Sequence, residues 1–467
     1  MRIFFDKPRL RYAAARVPAT TVFHMTNRFT LKVRLLALLL LTAACAAAQT
    51  TPAEIAENPE RAAGIYHSYE YLPGPAASVP AGYTPFYISH YSRHGSRYHA
   101  SASTYTEPLE ILRKAAGEGI LTPKGREVLA KAESLAAGAE GRYGDLSPRG
   151  VAEHRAIAGR MYAAYPAVFS TRKGRVCRIE SRSTQVPRCM LSMAAFNERL
   201  KELNPAIRIT RDASVRDFGY MAYGPSMSAS SAAALKVADS LFGARMNPGR
   251  VMKSLFTDPA GIGDPVKLMR QLYILTSVIQ DADHLGIEPF YDIFTDRELY
   301  DLWACENVRR YLQMGPSARF GDPIVADAKS LLRNIVETAR EVVEGRSDLA
   351  ASLRFGHDVF VIPLVALLGV EGASARVESL DDVASAWSVE KVPRWPPTSS
   401  SSFSATPKQA TCVSVCCSTS ATRACPSPEV RTIRGRTWSN TANRCTNNRA
   451  GTILRSLICR LFDNEKI

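Results

Sequence analysis

The sequence lacks the charge distribution that is typical of a nucleic-acid-binding protein. Its formal net charge of +15 is confined to the two ends, since residues 1–48 carry +7 and residues 393–467 carry +8. Residues 49–392 therefore have no net charge. Because a basic surface is the usual mark of a protein that binds nucleic acid, we expect no nucleic-acid partner.

Cysteine and histidine patterns of a metal site are also missing. No Cys-x-x-Cys pair occurs, and no histidine follows His357 to join the six cysteines of Cys412–Cys459. These absences argue against a zinc site, and we expect no metal and no organic cofactor. A disulfide-rich module at Cys412–Cys459 stays open on composition, and so does a disulfide between Cys177 and Cys189.

The apolar run Leu35–Leu41 is too short to span a bilayer. Basic residues precede it and the small residues Ala43–Ala48 follow, so residues 1–48 are predicted to be a secretory signal peptide, with Met25 as the true start. We expect a secreted or periplasmic protein without a membrane span. A lipid anchor at Cys45 is less favoured, because Thr42 stands where a lipobox has an aliphatic residue.

After Val392 the composition changes to Pro396-Pro397, Ser399–Ser402 and scattered arginines, and apolar periodicity stops. We expect residues 393–467 to be an aberrant low-complexity tail that arose by a frameshift and lies outside the functional fold. A natural disordered tail is the alternative.

Between these ends, strand-like and helix-like stretches alternate, which predicts an α/β fold. Three predicted strands each deliver Arg or His to their carboxyl end, where open α/β sheets bind ligands: Pro85–Ser92, Val176–Ser181 and Leu349–Phe355.

Residues 206–319 are mostly helical in pattern, with Pro265–Asp281 and Asp296–Tyr311 the clearest amphipathic stretches. We predict a mostly parallel sheet flanked by helices, with an inserted α-helical cap. The predicted α/β domain covers residues 49–205 and 320–392, and the cap covers residues 206–319.

The motif Arg93-His94-Gly95-Ser96-Arg97 carries the chemistry. Phosphoryl transfer needs a nucleophile, fixed positive donors around the phosphate oxygens, and an acid for the leaving alcohol. A neutral imidazole such as that of His94 can attack phosphorus, and the guanidinium groups of Arg93 and Arg97 match phosphate oxygens. The motif therefore predicts a site in the protein that binds the phosphate group of a small phosphorylated substrate.

The motif, followed by Tyr98, resembles the signature of the histidine acid phosphatases, which include phytases and multiple inositol polyphosphate phosphatases. Two further segments are similar to that family: Arg182-Ser183-Thr184-Gln185-Val186-Pro187-Arg188, and Gly356-His357-Asp358. The resemblance covers roughly residues 65–392. It implies that Arg182 joins the phosphate clamp, that His357 hydrogen-bonds the phosphoryl group, and that Asp358 protonates the leaving oxygen. It also implies an α/β domain with a helical cap.

The sequence alone does not decide the roles of several charged residues and histidines. Asp358 fits a helix N-cap as well as a catalytic acid, and Arg188 fits either a surface ion pair or a substrate contact. A metal cluster of His90, His94 and His99 is disfavoured because Arg93 and Arg97 would repel a cation. His67, His154 and His284 are interpreted as structural.

The substrate we expect first is an inositol phosphate. A broad-specificity acid or sugar phosphatase is the close alternative. A catalytically inactive protein that binds phosphorylated ligands is the alternative from another class, and a mutase-like transferase is disfavoured by export.

Overall fold

The computed structural model describes residues 50–69, 83–222, 225–370, 372–391 and the backbone of 412–420. Strands are β1 Tyr83–Arg93, β2 Arg178–Ser183, β3 Arg208–Asp212, β4 Leu349–Gly356 and β5 Cys412–Ser420. Helices before β3 are α1 Pro52–Glu57, α2 Ser103–Gly117, α3 Pro123–Ala139, α4 Pro148–Ala164 and α5 Pro187–Leu203. Helices between β3 and β4 are α6 Phe218–Met221, α7 Pro225–Arg245, α8 Gly249–Leu255, α9 Pro265–Ile279, α10 Asp296–Met314, α11 Gly321–Asp327 and α12 Lys329–Val343. After β4 come α13 Asp358–Leu367 and α14 Val383–Ala386.

The strands form one sheet in the order β3-β2-β4-β1-β5. The four strands β3, β2, β4 and β1 are parallel, and β5 is antiparallel to β1. The predicted α/β class and the mostly parallel sheet are therefore confirmed. β4, the last of the parallel strands in the chain, lies between β1 and β2 and is buried along almost its whole length. Its carboxyl end consequently meets that of β1 at the same edge, with Arg93 in register with Gly356.

Helices α4 and α5 pack together on one face of the sheet. There they enclose an apolar cluster that includes Ile88 of β1, Ile179 of β2 and Phe355 of β4. Helices α6, α12 and α13 contact the sheet on β1 and β4. Both faces of the central strands are thus covered, which explains the nearly continuous burial of β4.

Between β3 and β4 the described residues form a series of helices joined by loops. Helix α10 packs against α7, α11 and α14, and its buried Trp303 and Tyr311 lie in the larger apolar cluster. The strand β3 belongs to the sheet although its residues fall inside the predicted cap, residues 206–319. Sequence pattern missed it because this edge strand has exposed polar side chains.

Helix starts follow the local chemistry of the sequence. The side chain of Ser147 accepts a hydrogen bond from the backbone N–H of Gly150, and Pro148 is the first helical residue, so the start predicted for α4 is confirmed. Helix α10 begins with a capping box in which Thr295 and Glu298 bond each other's backbone N–H groups. These caps fix the residue at which each of the two helices begins.

The predicted signal peptide, Met25 and Cys45 lie outside the described residues. Within the predicted tail the structure describes Cys412–Ser420, which forms β5 along the outer edge of β1. Composition does not indicate this strand. None of the described helices combines the length and the apolar character needed to cross a membrane.

Candidate active site

The carboxyl ends of β1 and β4 bring two histidines together. The backbone N–H of His94 donates to the carbonyl of Gly356 at 3.0 Å, which extends the ladder between the two strands by one residue. As a result, the rings of His94 and His357 lie 5.7 Å apart in an edge-to-face arrangement at 73°. Sequence analysis predicted both residues for the site, and the structure brings them together.

The imidazole of His94 is held with one nitrogen free. Its Nδ1 lies 2.9 Å from the carbonyl oxygen of Gly95, and because a carbonyl only accepts, Nδ1 carries the proton. Nε2 then keeps its lone pair. Burial, followed by the charges of Arg93, Arg188 and Arg97, holds the pKa of His94 well below its usual value of 6.5. The ring is therefore neutral in acid solution, with the lone pair of Nε2 available.

A buried carboxylate, that of Glu153 in α4, holds the loop after His94. It accepts hydrogen bonds from the backbone N–H and from the hydroxyl of Ser96, both at 2.7 Å, and from the backbone N–H of Tyr69 at 3.1 Å. Glu153 is 7% exposed, so these bonds form away from bulk water. Charge-assisted bonds of this kind are stronger than neutral ones, and they fix the backbone that aims His94.

Close backbone approach explains the glycine of the motif. A Cβ at Gly95 would lie 2.5 Å from the carbonyl oxygen of Gly150, and a Cβ at Gly150 would overlap the carbonyl of Ser96. The loop also contacts the cap of α4, since the backbone N–H of Ser147 donates to the Ser96 carbonyl at 3.0 Å. The first turn of α4 therefore packs directly against the backbone of the motif.

His357 is fixed by Tyr91 of β1. The backbone N–H of His357 donates to the Tyr91 hydroxyl at 3.1 Å, and that hydroxyl donates to the carbonyl of Met221 at 2.9 Å. The ring contacts Thr184, whose Oγ1 lies 3.3 Å from Nε2. Burial first, and the charge of Arg188 next, lower the pKa of His357 to about 4. Like His94, it is a neutral ring that can hydrogen-bond an anion.

Asp358 begins α13 and faces the arginines. One carboxylate oxygen accepts from the backbone N–H of Val359 at 2.9 Å, and the other lies 3.3 Å from Nη2 of Arg93. Burial favours the protonated form of Asp358, but the charges of Arg93, His357 and Arg310 outweigh it and lower its pKa below the usual 3.8. Asp358 is the first residue of α13 and His357 stands at the N-cap position, so the N-cap alternative for Asp358 is wrong. Its carboxylate faces the guanidinium of Arg93.

Three guanidinium groups act on His94, namely those of Arg93, Arg188 and Arg97. Arg93 is 4% exposed and donates through Nη1 to the carbonyl of Ile65 at 3.2 Å. Arg97 donates to the carbonyl of Tyr98 at 2.9 Å, while its Nε is buried without a hydrogen-bond partner among the described residues. This concentration of N–H donors beside a neutral histidine suits an anion with several oxygens.

Arg182 lies apart from this group in the structure. Its Nη2 pairs with Glu180 of the same strand at 2.8 Å, and its other close charges are those of Tyr220 and Asp217. Arg182 is not among the main charges that lower the pKa of His94 and His357, whereas Arg188 is among them for both histidines. Arg188, six residues further along, is thus an arginine of this segment whose charge reaches both histidines, while the phosphate contact implied for Arg182 stays a prediction. Strand alternation places Arg182 on the face of β2 opposite the buried Ser181 and Ser183.

The remaining histidines and cysteines occupy other environments. His90 packs against Phe196 and Phe355 on the face of the sheet that carries α5, away from His99, which bonds Tyr66. Cys177 and Cys189 are both free thiols, so the disulfide left open by the sequence is not formed. The described residues contain no group of three or more His, Cys, Asp or Glu side chains that could hold a metal ion.

No protein-family model and no curated protein matches this sequence. Solved structures do match it. The multiple inositol polyphosphate phosphatase of Bifidobacterium longum bound to inositol hexasulfate aligns with a TM-score of 0.61 and 17% identity, over 71% of this chain and 87% of that chain. The same phosphatase bound to phosphate aligns with a TM-score of 0.60 and 18% identity, over 71% and 85% of the two chains. The chain has the fold of this inositol polyphosphate phosphatase. The predicted architecture of a helix-flanked sheet with a helical insertion agrees with that fold.

Within this phosphatase fold, two site residues escaped the sequence analysis. Glu153 does not belong to a recognisable motif. It lies six residues after the cap residue Ser147 and on the same helix face as Gly150, and this position could have indicated a contact with the loop after His94. Arg188 was recognised but left open, because a sequence does not show which of two arginines near a strand end turns inward.

Proposed function

We propose that this protein is a phosphomonoesterase that transfers the phosphoryl group to Nε2 of His94, and that inositol phosphates are its substrates. The observation that carries the proposal is the unprotonated Nε2 of His94 under the charges of Arg93, Arg97 and Arg188. Nucleophile and positive donors are what phosphoryl transfer asks of a protein.

In the first step, the lone pair of Nε2 forms a bond to phosphorus while the bond to the leaving oxygen breaks. Arg93, Arg97 and Arg188 bind the phosphoryl oxygens, and His357 donates a hydrogen bond to one of them. The proton of the Asp358 carboxyl goes to the leaving alcohol. In the empty site the arginines keep Asp358 ionised. A bound phosphate dianion offsets their charge, which raises the pKa of Asp358 in the complex and lets it carry the proton.

In the second step, water attacks phosphorus and the N–P bond breaks. The Asp358 carboxylate takes the proton of that water, and inorganic phosphate leaves. The sum is one ester and one water converted to one alcohol and one phosphate, with His94 and Asp358 restored. No step needs a metal ion, and we expect EDTA to leave the rate unchanged.

The substrate choice is supported by the excess of positive donors and by the fold shared with a phosphatase that was solved with inositol hexasulfate. Export is part of the proposal and rests on the leader-like segment 25–48 alone.

The test is trapping of phosphohistidine. The full chain is mixed with ³²P-labelled inositol phosphate, quenched in alkali, and digested to locate the label. Label on the peptide with His94, and its loss together with turnover in His94→Ala, is the expected result. His284→Gln is the control, because His284 is exposed and bonds Tyr98, outside this group. Label on another residue, or His94→Ala within tenfold of the parent, would overturn the proposal.

Asp358→Asn distinguishes a catalytic acid from a carboxylate that only supports the start of α13. The loss of rate should be far larger for an alkyl phosphate than for an activated aryl phosphate, whose leaving group needs no proton. Equal losses would assign Asp358 to the helix start only. Saturable binding of inositol hexasulfate without any phosphate release would favour the inactive binding protein, and faster release from sugar phosphates would favour the broad-specificity enzyme.

A further inference from the structure

A second group of donors lies beside Asp358 and takes no part in the steps above. It consists of Tyr66, His99 and Arg310, which come from the 3₁₀ helix Pro59–Tyr66, the loop after the motif, and α10. The Tyr66 hydroxyl lies 3.1 Å from Nε2 of His99, and Nη2 of Arg310 donates to the same hydroxyl at 3.3 Å. Three elements thus converge on one phenolic oxygen.

The proton on His99 can be placed from its neighbours. The backbone N–H of Ser101 donates to Nδ1 at 3.1 Å, so Nδ1 is an acceptor. Burial, and then the charge of Arg97, lower the pKa of His99 to about 4. The ring is therefore neutral above that pH, with its single proton on Nε2, and this N–H donates to Tyr66.

The Tyr66 hydroxyl then accepts two hydrogen bonds, from His99 and from Arg310, and its own hydrogen is left over. No described residue accepts it. The Tyr66 side chain is only 8% exposed, so bulk water does not readily satisfy this donor. A buried donor without an acceptor is destabilising, and it is commonly satisfied by a ligand.

A backbone contact and the effects of two arginine charges show where Tyr66 and Arg310 lie relative to the candidate site. The carbonyl of Ile65, the residue before Tyr66, accepts a hydrogen bond from Nη1 of Arg93. The charges of Arg97 and Arg310 each act on both His99 and Asp358. Arg310 and its partner Tyr66 therefore lie near Asp358, the residue that the proposed function places at the leaving group. Arg310 is also paired with Glu306 at 2.7 Å, which fixes its position.

We propose that Tyr66 and Arg310 bind a second phosphate group of the substrate, one that the leaving alcohol carries. The inference rests on the proposed function and deepens it, because it selects polyphosphorylated alcohols over monophosphates. A neutral hydroxyl donor and a fixed guanidinium together match a phosphate oxygen without any proton transfer.

The test compares binding of two anions to the full chain by calorimetry. Inositol hexasulfate reports on all phosphate positions, and inorganic phosphate reports on the reacting position alone. In Tyr66→Phe and in Arg310→Gln we expect the Kd of the hexasulfate to rise about tenfold more than the Kd of inorganic phosphate. Arg309→Gln is the matched control, because this neighbour on α10 pairs with Asp239 at 2.6 Å instead of reaching Tyr66.

Kinetics give a second readout. kcat/KM for inositol hexakisphosphate should fall at least about tenfold more than kcat/KM for glycerol phosphate in both variants, with the difference in KM. Arg310→Gln takes a partner from Glu306, so circular dichroism checks its fold, and Tyr66→Phe keeps the ring in place if Arg310→Gln unfolds. Equal loss for the two anions in Tyr66→Phe would overturn the inference. If the parent shows no turnover of either ester, the proposed function fails, while the calorimetric comparison still decides the second phosphate site.

Discussion

Arg188 and Arg182 lie in different electrostatic surroundings, and the proposed function predicts different effects of their removal on turnover. The charge of Arg188 lowers the pKa of both His94 and His357, whereas Arg182 is paired with Glu180. Removal of one guanidinium from a transition-state clamp costs about 10²–10³ in kcat. We therefore expect Arg188→Gln to lose about that factor, and Arg182→Gln to lose less than about tenfold, in steady-state assays with an aryl phosphate.

The pH profile gives Arg188→Gln a signature that misfolding would not produce. Arg188 holds the pKa of His94 down, so its loss lets that pKa rise. A protonated imidazole has no lone pair to attack phosphorus. The acid limb of kcat/KM should accordingly move to higher pH in Arg188→Gln, and an unmoved limb would contradict the assigned contact.

Glu153 holds the loop after His94 through hydrogen bonds to Ser96 and Tyr69. Truncation leaves the backbone N–H groups of Ser96 and Tyr69 buried without their acceptor. Glu153→Ala should lower the free energy of unfolding by about 2–4 kcal/mol, with Glu153→Gln in between because one oxygen is kept. Urea unfolding measures this. Glu133→Ala is the control, since Glu133 is 45% exposed in a surface pair with Arg113 and should change stability by about 0.5 kcal/mol or less.

At the scale of elements, the contact between the motif loop and α4 predicts an unusual response to alanine. Gly→Ala inside a helix normally stabilises by up to about 1 kcal/mol. At Gly150 the new Cβ would overlap the Ser96 carbonyl, so Gly150→Ala should instead lower both the melting temperature and kcat. Gly243 of α7 has nothing within 4 Å of a built Cβ, and Gly243→Ala should be neutral or stabilising. Stabilisation by both substitutions would show that the loop gives way easily.

Sequence reasoning found the elements that carry strong local signals. Capping predicts the Ser147-Pro148 start of α4, and strand-like runs predict the two strands that lead into His94 and His357. The edge strand β3 escaped because its polar, exposed residues carry no apolar alternation. Glu153 escaped for a related reason: its partner Ser96 is 57 residues away, and only tertiary packing makes them neighbours.

For the whole molecule, buried histidines predict how stability depends on pH. Burial, with the charges of His154 and Arg354, lowers the pKa of His90 to about 3, and burial lowers that of His154 to about 4. A histidine whose pKa is lower in the folded state stabilises the fold above its unfolded pKa, near 6.5, and that stability is lost as pH falls. The protein should therefore weaken steadily between about pH 6.5 and pH 4.

His90→Gln tests this by removing one titrating group. Between pH 7 and pH 4.5 the unfolding free energy of the variant should fall by about 2–3 kcal/mol less than that of the parent, as measured in urea. The two curves would run parallel if His90 were already protonated in the folded protein.

The position of β4 between β1 and β2 has a consequence for biosynthesis. His94 is translated early, but the strand that completes its surroundings is made last among the parallel strands and must enter the middle of the sheet. Tyr91 and His357, which bond each other, are 266 residues apart in the chain. At about 5–20 residues per second, a ribosome needs on the order of 13–50 s to cover that distance. Throughout that interval the nascent chain carries His94 without His357 and Asp358, so the group of residues that the proposed function requires is incomplete until β4 and α13 have been made.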